Sequence, residues 1–233
     1  MARTFLPLSS PRHRESGNII FMILLAIVLI GALTAALHGS SQTSNNIDRE
    51  TLIIRVSEVK RYASELERGV AYIIQGGHSE ADIRFASPDA DADYGDLSSD
   101  TDKTDQVFDS SGGAARYRLP PDGVNDGSKW EFYGQTALPN VGTDAAELVA
   151  VLPNVTSDFC TVVNNGIGYS AQPTDSSDCV SYGASGRFDD GTQFPATPNT
   201  VDTATFSVTP ALEGCVKCTA DGSYNYFRVL LAR

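Results

Sequence analysis

The sequence predicts an α+β protein: a long N-terminal helix, transmembrane in its first half and amphipathic in its second, packed on a mostly antiparallel sheet. Three observations carry this. Residues Ile19 to Leu37 contain no charge, a length that suits a membrane-crossing helix of ~20 apolar residues. A seven-membered apolar seam follows between Leu52 and Ile73. Short β-prone runs separated by turn residues fill the second half.

The elements follow in chain order. Residues 1–17 form a short flank in which Arg3, Arg12 and Arg14 outweigh Glu15. Basic loops stay on the cytoplasmic side, so the long remainder is expected to be exported from an apolar span over 18–38. Within that span Gly31 and Ala35 form a small-xxx-small pair, as do Ala32 and Ala36. Such pairs let helices approach closely in lipid and are a candidate packing face. A cleavable secretory signal is the rival reading, with Thr34-Ala35-Ala36 as its cleavage site.

Residues 39–77 read as the amphipathic half. Leu52, Val56, Val59, Ala63, Leu66, Val70 and Ile73 recur at alternating steps of four and three, the seam of a helix packed lengthwise on an apolar surface. Asn45 or Asn46 can cap it, or the poor helix formers of 39–46 can kink, fray or run through as helix, and Gly76-Gly77 stops it. The charged residues Arg55, Glu58, Lys60, Arg61, Glu65, Glu67 and Arg68 fall off the seam, with Glu58–Arg61 and Glu65–Arg68 spaced to pair. A parallel coiled coil between two copies is the alternative use of the same seam.

Residues 78–128 read as an acidic loop region, because Ser87 to Gln106 is dominated by aspartate and serine and lacks the apolar content of a core. Asp89, Asp91, Asp93 and Asp100 stand at positions 1, 3, 5 and 12 of an EF-hand-like calcium loop. Tyr94 occupies the position that needs glycine, so a solvated loop is the leading reading and calcium the minor one. No other cofactor is expected.

Residues 129–233 read as a β-rich head bearing Cys160, Cys179, Cys215 and Cys218. Strands are expected over Lys129–Leu138, Glu147–Leu152, Thr203–Thr209 and Tyr224–Leu231, and a short helix over Ser157–Asn165. Four cysteines on the exported side favour two disulfides, with three connectivities open. Cys215 and Cys218 also have the CxxC spacing of thiol oxidoreductases, but turn residues flank them, which favours structural cross-links. Asn154-Val155-Thr156 fits a glycosylation sequon.

Net charge is −12, from 29 acidic and 17 basic side chains, which excludes a nucleic-acid-binding surface built on phosphate neutralisation. No histidine follows His78, so the head has no Ser-His-Asp or Cys-His site and no histidine-bound metal. The protein is expected not to be an enzyme.

The stretch Arg14-Glu15-Ser16-Gly17-Asn18-Ile19-Ile20-Phe21-Met22 resembles a type IV prepilin leader. The resemblance implies cleavage after Gly17, with Asn18 as the mature N-terminus. Met22 stands where the family usually carries glutamate, a departure shared by some minor pseudopilins. The apolar rod, the amphipathic continuation and the β-rich head are similar in outline to type IV pilin-like proteins. That resemblance implies a single-pass protein of the bacterial inner membrane, N-terminus cytoplasmic and head periplasmic or extracellular. Its partners would be the membrane, other pilin-like subunits and their assembly machinery, in a pilus or a type II secretion pseudopilus. The alternative is a single-pass anchored binding protein whose acidic head does not assemble.

Overall fold

A computed structural model describes residues 18–39, 42–176, 179–180, 183–188 and 193–233; side chains near the N-terminus are described for 20–34 and from 48 onward. The leader 1–17, and with it Gly17, lies outside the described residues. The chain divides into two units, Met1–Arg49 and Glu50–Arg233.

In the first unit, helix α1 spans Asn18–Gly39. Every side chain described in it, from Ile20 to Thr34, is exposed. Among the described residues no helix is long and apolar enough to cross a membrane, so the transmembrane first half expected of the long helix rests on the sequence alone.

Helix α2 spans Gln42–Gln75, so Asn45 and Asn46 lie inside the helix and not at its cap. The alternative in which helix runs into the 39–46 stretch is the one seen, from Gln42 onward. Asparagine and serine cost only a fraction of a kcal/mol each relative to good helix formers, and propagating a long helix is easier than nucleating one. The end is as expected. Gly77 adopts φ +95°, His78 N–H bonds Ile73 C=O and Gly77 N–H bonds Ile74 C=O. That pair of bonds is the Schellman closure, and it favours a residue without Cβ at the left-handed position.

In the second unit, the seam of α2 is buried from Val56 to Ile73, with Leu52 half-buried beside it. Six strands form one curled sheet: β1 Glu131–Ala137, β2 Glu147–Leu152, β3 Thr174–Asp175, β4 Asn199–Thr200, β5 Glu213–Cys218 and β6 Tyr224–Leu231. Their order is β3-β5-β6-β2-β1-β4. The four central strands are antiparallel, and the two-residue edge strands β3 and β4 add in parallel. Register shifts within β1 and at the start of β2 mark bulges, which bend and twist a ladder.

Alternation along each strand sends side chains to two separate cores. Phe132, Leu148, Ala150, Leu152, Tyr226 and Leu230 face the layer made by α2 and helix α3, Ser157–Ile167. Tyr133, Val149, Val151, Val216, Phe227 and Val229 face a layer of irregular chain that contributes Leu138, Tyr169, Val180, Val201, Phe206 and Ala211. On the helical side, edge-on aromatic contacts run from Tyr62 to Trp130, Trp130 to Tyr226 and Tyr226 to Phe159, joining both helices across the sheet.

Two expectations in the head need correction. Thr203–Thr209 is not a strand: Asp202 caps a single 3-10 turn at Thr203–Thr205, and Phe206 lies on the sheet face against Phe227. Its β-prone composition serves burial on a pleated surface and not pairing. Glu213–Cys218, flanked by turn residues, is strand β5. The Thr-Ala-Asp-Gly that follows is its hairpin turn to β6, with Gly222 N–H on Cys218 C=O.

The acidic stretch is also more firmly held than its composition implied. Phe132 N–H donates to the hydroxyl of buried Tyr94 at 2.7 Å. Gln106 is buried, accepts from Ala86 N–H and donates to Asp100. Phe85, just before the stretch, stacks on Phe132 with centroids 3.9 Å apart.

Candidate functional site

The four cysteines form Cys160–Cys215 and Cys179–Cys218. The CxxC pair does not close on itself, and strand geometry explains why. Residues three apart on a strand point to opposite faces, so Cys215 enters the helical core and Cys218 the other. Cys215 is tied to α3 by its sulfur and by buried Asn164, which accepts from Cys215 N–H and donates to its C=O, both at 2.9 Å. Cys179 is held by Asp175, whose carboxylate accepts from its N–H at 3.0 Å.

The four aspartates with calcium-loop spacing do not share one ligand: two meet at an arginine and the other two have partners of their own. Asp91 and Asp93 pair with Nη1 of Arg187, while Glu131 on β1 accepts from Nη2 at 2.9 Å. Asp100 accepts from Gln106, and Asp89 sits in a turn where its N–H donates to Ser87 Oγ. Tyr94 points inward where an EF-hand loop would turn on glycine. Among the described residues no group of three or more His, Cys, Asp or Glu is placed to hold a metal ion.

Burial works against the charge of Arg187, but its bonds to Glu131 and Asp93 outweigh that and hold it charged more firmly than usual. Sequence reading missed Arg187. Its partners Glu131 and Asp93 lie 56 and 94 residues away, so no local spacing announces it.

Glu147, the first residue of β2, is fully buried. One carboxylate oxygen accepts from Leu138 N–H at 2.8 Å, and the other has no hydrogen-bond partner among the described residues. Burial pushes its pKa up to about 7, against the opposing pull of the Leu138 bond and of Arg233.

Of the remaining sequence candidates, Asn18 is the first residue of α1. A Cβ placed on Gly31 would meet nothing within 4 Å, while the Ala35 side chain lies outside those described. Asn154, of the sequon, is exposed in the turn before α3 and donates to Ser128 Oγ.

Comparison of the chain with protein-family models, with curated proteins and with solved structures returns no match. The fold and its cross-links define an α+β protein whose two cores are each secured by a disulfide to strand β5. Two disulfides are consistent with an extracytoplasmic location. The groups described above, cross-links, ion pairs and a buried carboxylate, are the kind that hold a structure in place.

Proposed function

We propose that the chain is a structural, pilin-like or pseudopilin-like subunit, anchored in the inner membrane by its N-terminal helix and assembling through that helix into a filament or secretion pseudopilus. The observation that carries the reading is the contrast between the two helices. The apolar side chains of α1 from Ile20 to Leu33 are all exposed, whereas the seam of α2 is consumed by its own head. An apolar helix left bare needs lipid or other apolar helices around it, because water does not tolerate so large an apolar surface. Gly31 would then allow close helix approach. The head supplies the rigid, cross-linked body, and its acidic surface favours solubility outside the membrane.

The residue at the mature N-terminus tests this. The reading expects a chain beginning at Asn18, with an N-methyl group, in peptides from the membrane fraction. A chain that keeps Met1 favours the non-assembling anchored binding protein instead. A chain beginning at Leu37 removes the apolar helix from the finished protein and ends the proposal.

A further inference from the structure

The two disulfides differ in what reaches them. Cys160 and Cys215 are each 0 % exposed, whereas Cys179 is 2 % and Cys218 4 % exposed. Both of the latter line an open cavity of about 430 Å³ whose other walls include Glu131, Asp221, Ser223 and Asn225. Asn225, itself buried, directs its side-chain N–H at Cys218 Sγ from 3.0 Å. Cys179 adopts φ +60°, a left-handed conformation that disfavours any side chain and persists only when its surroundings impose it.

We propose that Cys179–Cys218 is a thiol-exchange site, open to small thiols that carry a positive charge, while Cys160–Cys215 stays closed. A thiolate entering the cavity attacks Cys179 Sγ and forms a mixed disulfide there. The Cys179–Cys218 bond breaks, and its electron pair leaves on Cys218 Sγ as a thiolate. Asn225 donates to that sulfur, which makes it the better leaving group of the two. A second thiolate attacks the outer sulfur of the mixed disulfide and releases Cys179. The small thiol ends oxidised as its own disulfide, and the two protein thiolates take protons from water. No basic side chain lines the cavity among its described walls. Glu131 is engaged by Arg187, and Asp221 is held below the usual carboxylate range by the Ser223 N–H and hydroxyl. Asp221 is therefore the one charge on the described walls without a cationic partner among the described residues, and it opposes anionic thiols.

The test treats the intact chain under native conditions, in neutral detergent, with limiting cysteamine, 2-mercaptoethanol or 2-mercaptoethanesulfonate at low ionic strength. Acid quenching, alkylation and peptide mapping then locate the opened bond. The expected result is label on Cys179 and Cys218 at least tenfold ahead of Cys160 and Cys215, with the first mixed disulfide on Cys179. Rates per thiolate, each divided by the same thiol's rate on a small neutral disulfide, should fall in the order given, by about fivefold or more from first to last at low salt. Asp221→Asn keeps the turn through its side-chain oxygen and should compress that order. Equal opening of both bonds, a first mixed disulfide on Cys218, or rates indifferent to thiol charge would each overturn the proposal.

Discussion

Arg228 on β6 donates to Glu67 on α2 through both Nε and Nη2, at 3.2 and 2.7 Å, and through Nη1 to Glu213 on β5 at 3.0 Å. Lys60, about two turns earlier on the same face of α2, also approaches Glu213 at 3.4 Å. The charged residues that fall off the apolar seam thus clamp the helix to the sheet around the rim of the core. Glu65 ties α2 instead to the irregular chain before β1, pairing with Arg118 and accepting from Arg116 N–H.

Removing one side of this clamp should cost unequally. Glu67 is substantially exposed, so Glu67→Gln should lose only about 0.2–1 kcal/mol. Arg228→Met strips a partner from the largely buried Glu213 and should lose about 1–3 kcal/mol. Urea unfolding of the two variants measures the difference, and equal losses would argue against a role for the Glu213 bond.

The seam should separate sharply from the rest of α2. Leu66 is fully buried in the helical core and Ile54 is exposed. Leu66→Ala should cost about 2–5 kcal/mol through lost burial and a residual cavity, and Ile54→Ala less than about 0.5 kcal/mol in the isolated chain. Thermal unfolding of both is sufficient to check this.

Stability should depend on pH through Glu147. Its pKa rises from an ordinary 4.5 to about 7 in the folded protein, so the native state binds the extra proton between those values. Stability from this group is full below about pH 4.5 and declines as pH rises towards 7, by on the order of 3 kcal/mol at most. Glu147→Gln can keep an oxygen on Leu138 N–H and carries no charge. It should remove that decline and unfold at higher urea than the parent at pH 8. A variant that is less stable at pH 8 would show the carboxylate to be preferred there.

Both cross-links should matter, since each closes a long loop: 55 residues for Cys160–Cys215 and 39 for Cys179–Cys218. Replacing either pair with serine should cost roughly 4 kcal/mol by loop-closure entropy. Non-reducing peptide mapping should recover these two connectivities.

Gly134 in β1 admits the ring of Phe188, whose nearest atom lies 2.5 Å from where a Cβ would stand. Gly134→Ala should therefore force Phe188 aside and cost about 1–3 kcal/mol, whereas adding a Cβ at open Gly166 should cost far less. Unfolding midpoints of the pair test the contact.

How much of this was legible in the chain depended on range. The α2 seam, the stop at Gly77, strands β1, β2 and β6 and the short α3 are written in local periodicity and turn chemistry, and they lie where the pattern put them. Strand β5 was hidden because Gly214 and its two cysteines carry little β signal, and its identity comes from pairing with β6. Phe206 carried the opposite ambiguity, a strand-like residue spent on the sheet face. For the cross-links, cysteine count indicated two bonds, but the pairing required knowing that Cys215 and Cys218 sit on a strand. Arg187 and Glu147 were illegible as special positions, since what distinguishes them is burial and partners drawn from distant segments.

The interlaced bonds on β5 also govern how the head can yield to a pull. Cys160 and Cys215 are 55 positions apart in the chain, which drawn straight at ~3.5 Å per residue would release roughly 190 Å of slack. With both bonds intact, tension entering at Cys160 crosses directly to Cys215 and leaves through the three peptide links to Cys218, so that stored length never pays out. The stretch from Cys160 to Cys218 therefore lengthens little before covalent bonds bear the load, and reduction converts that stiff link into an extensible one.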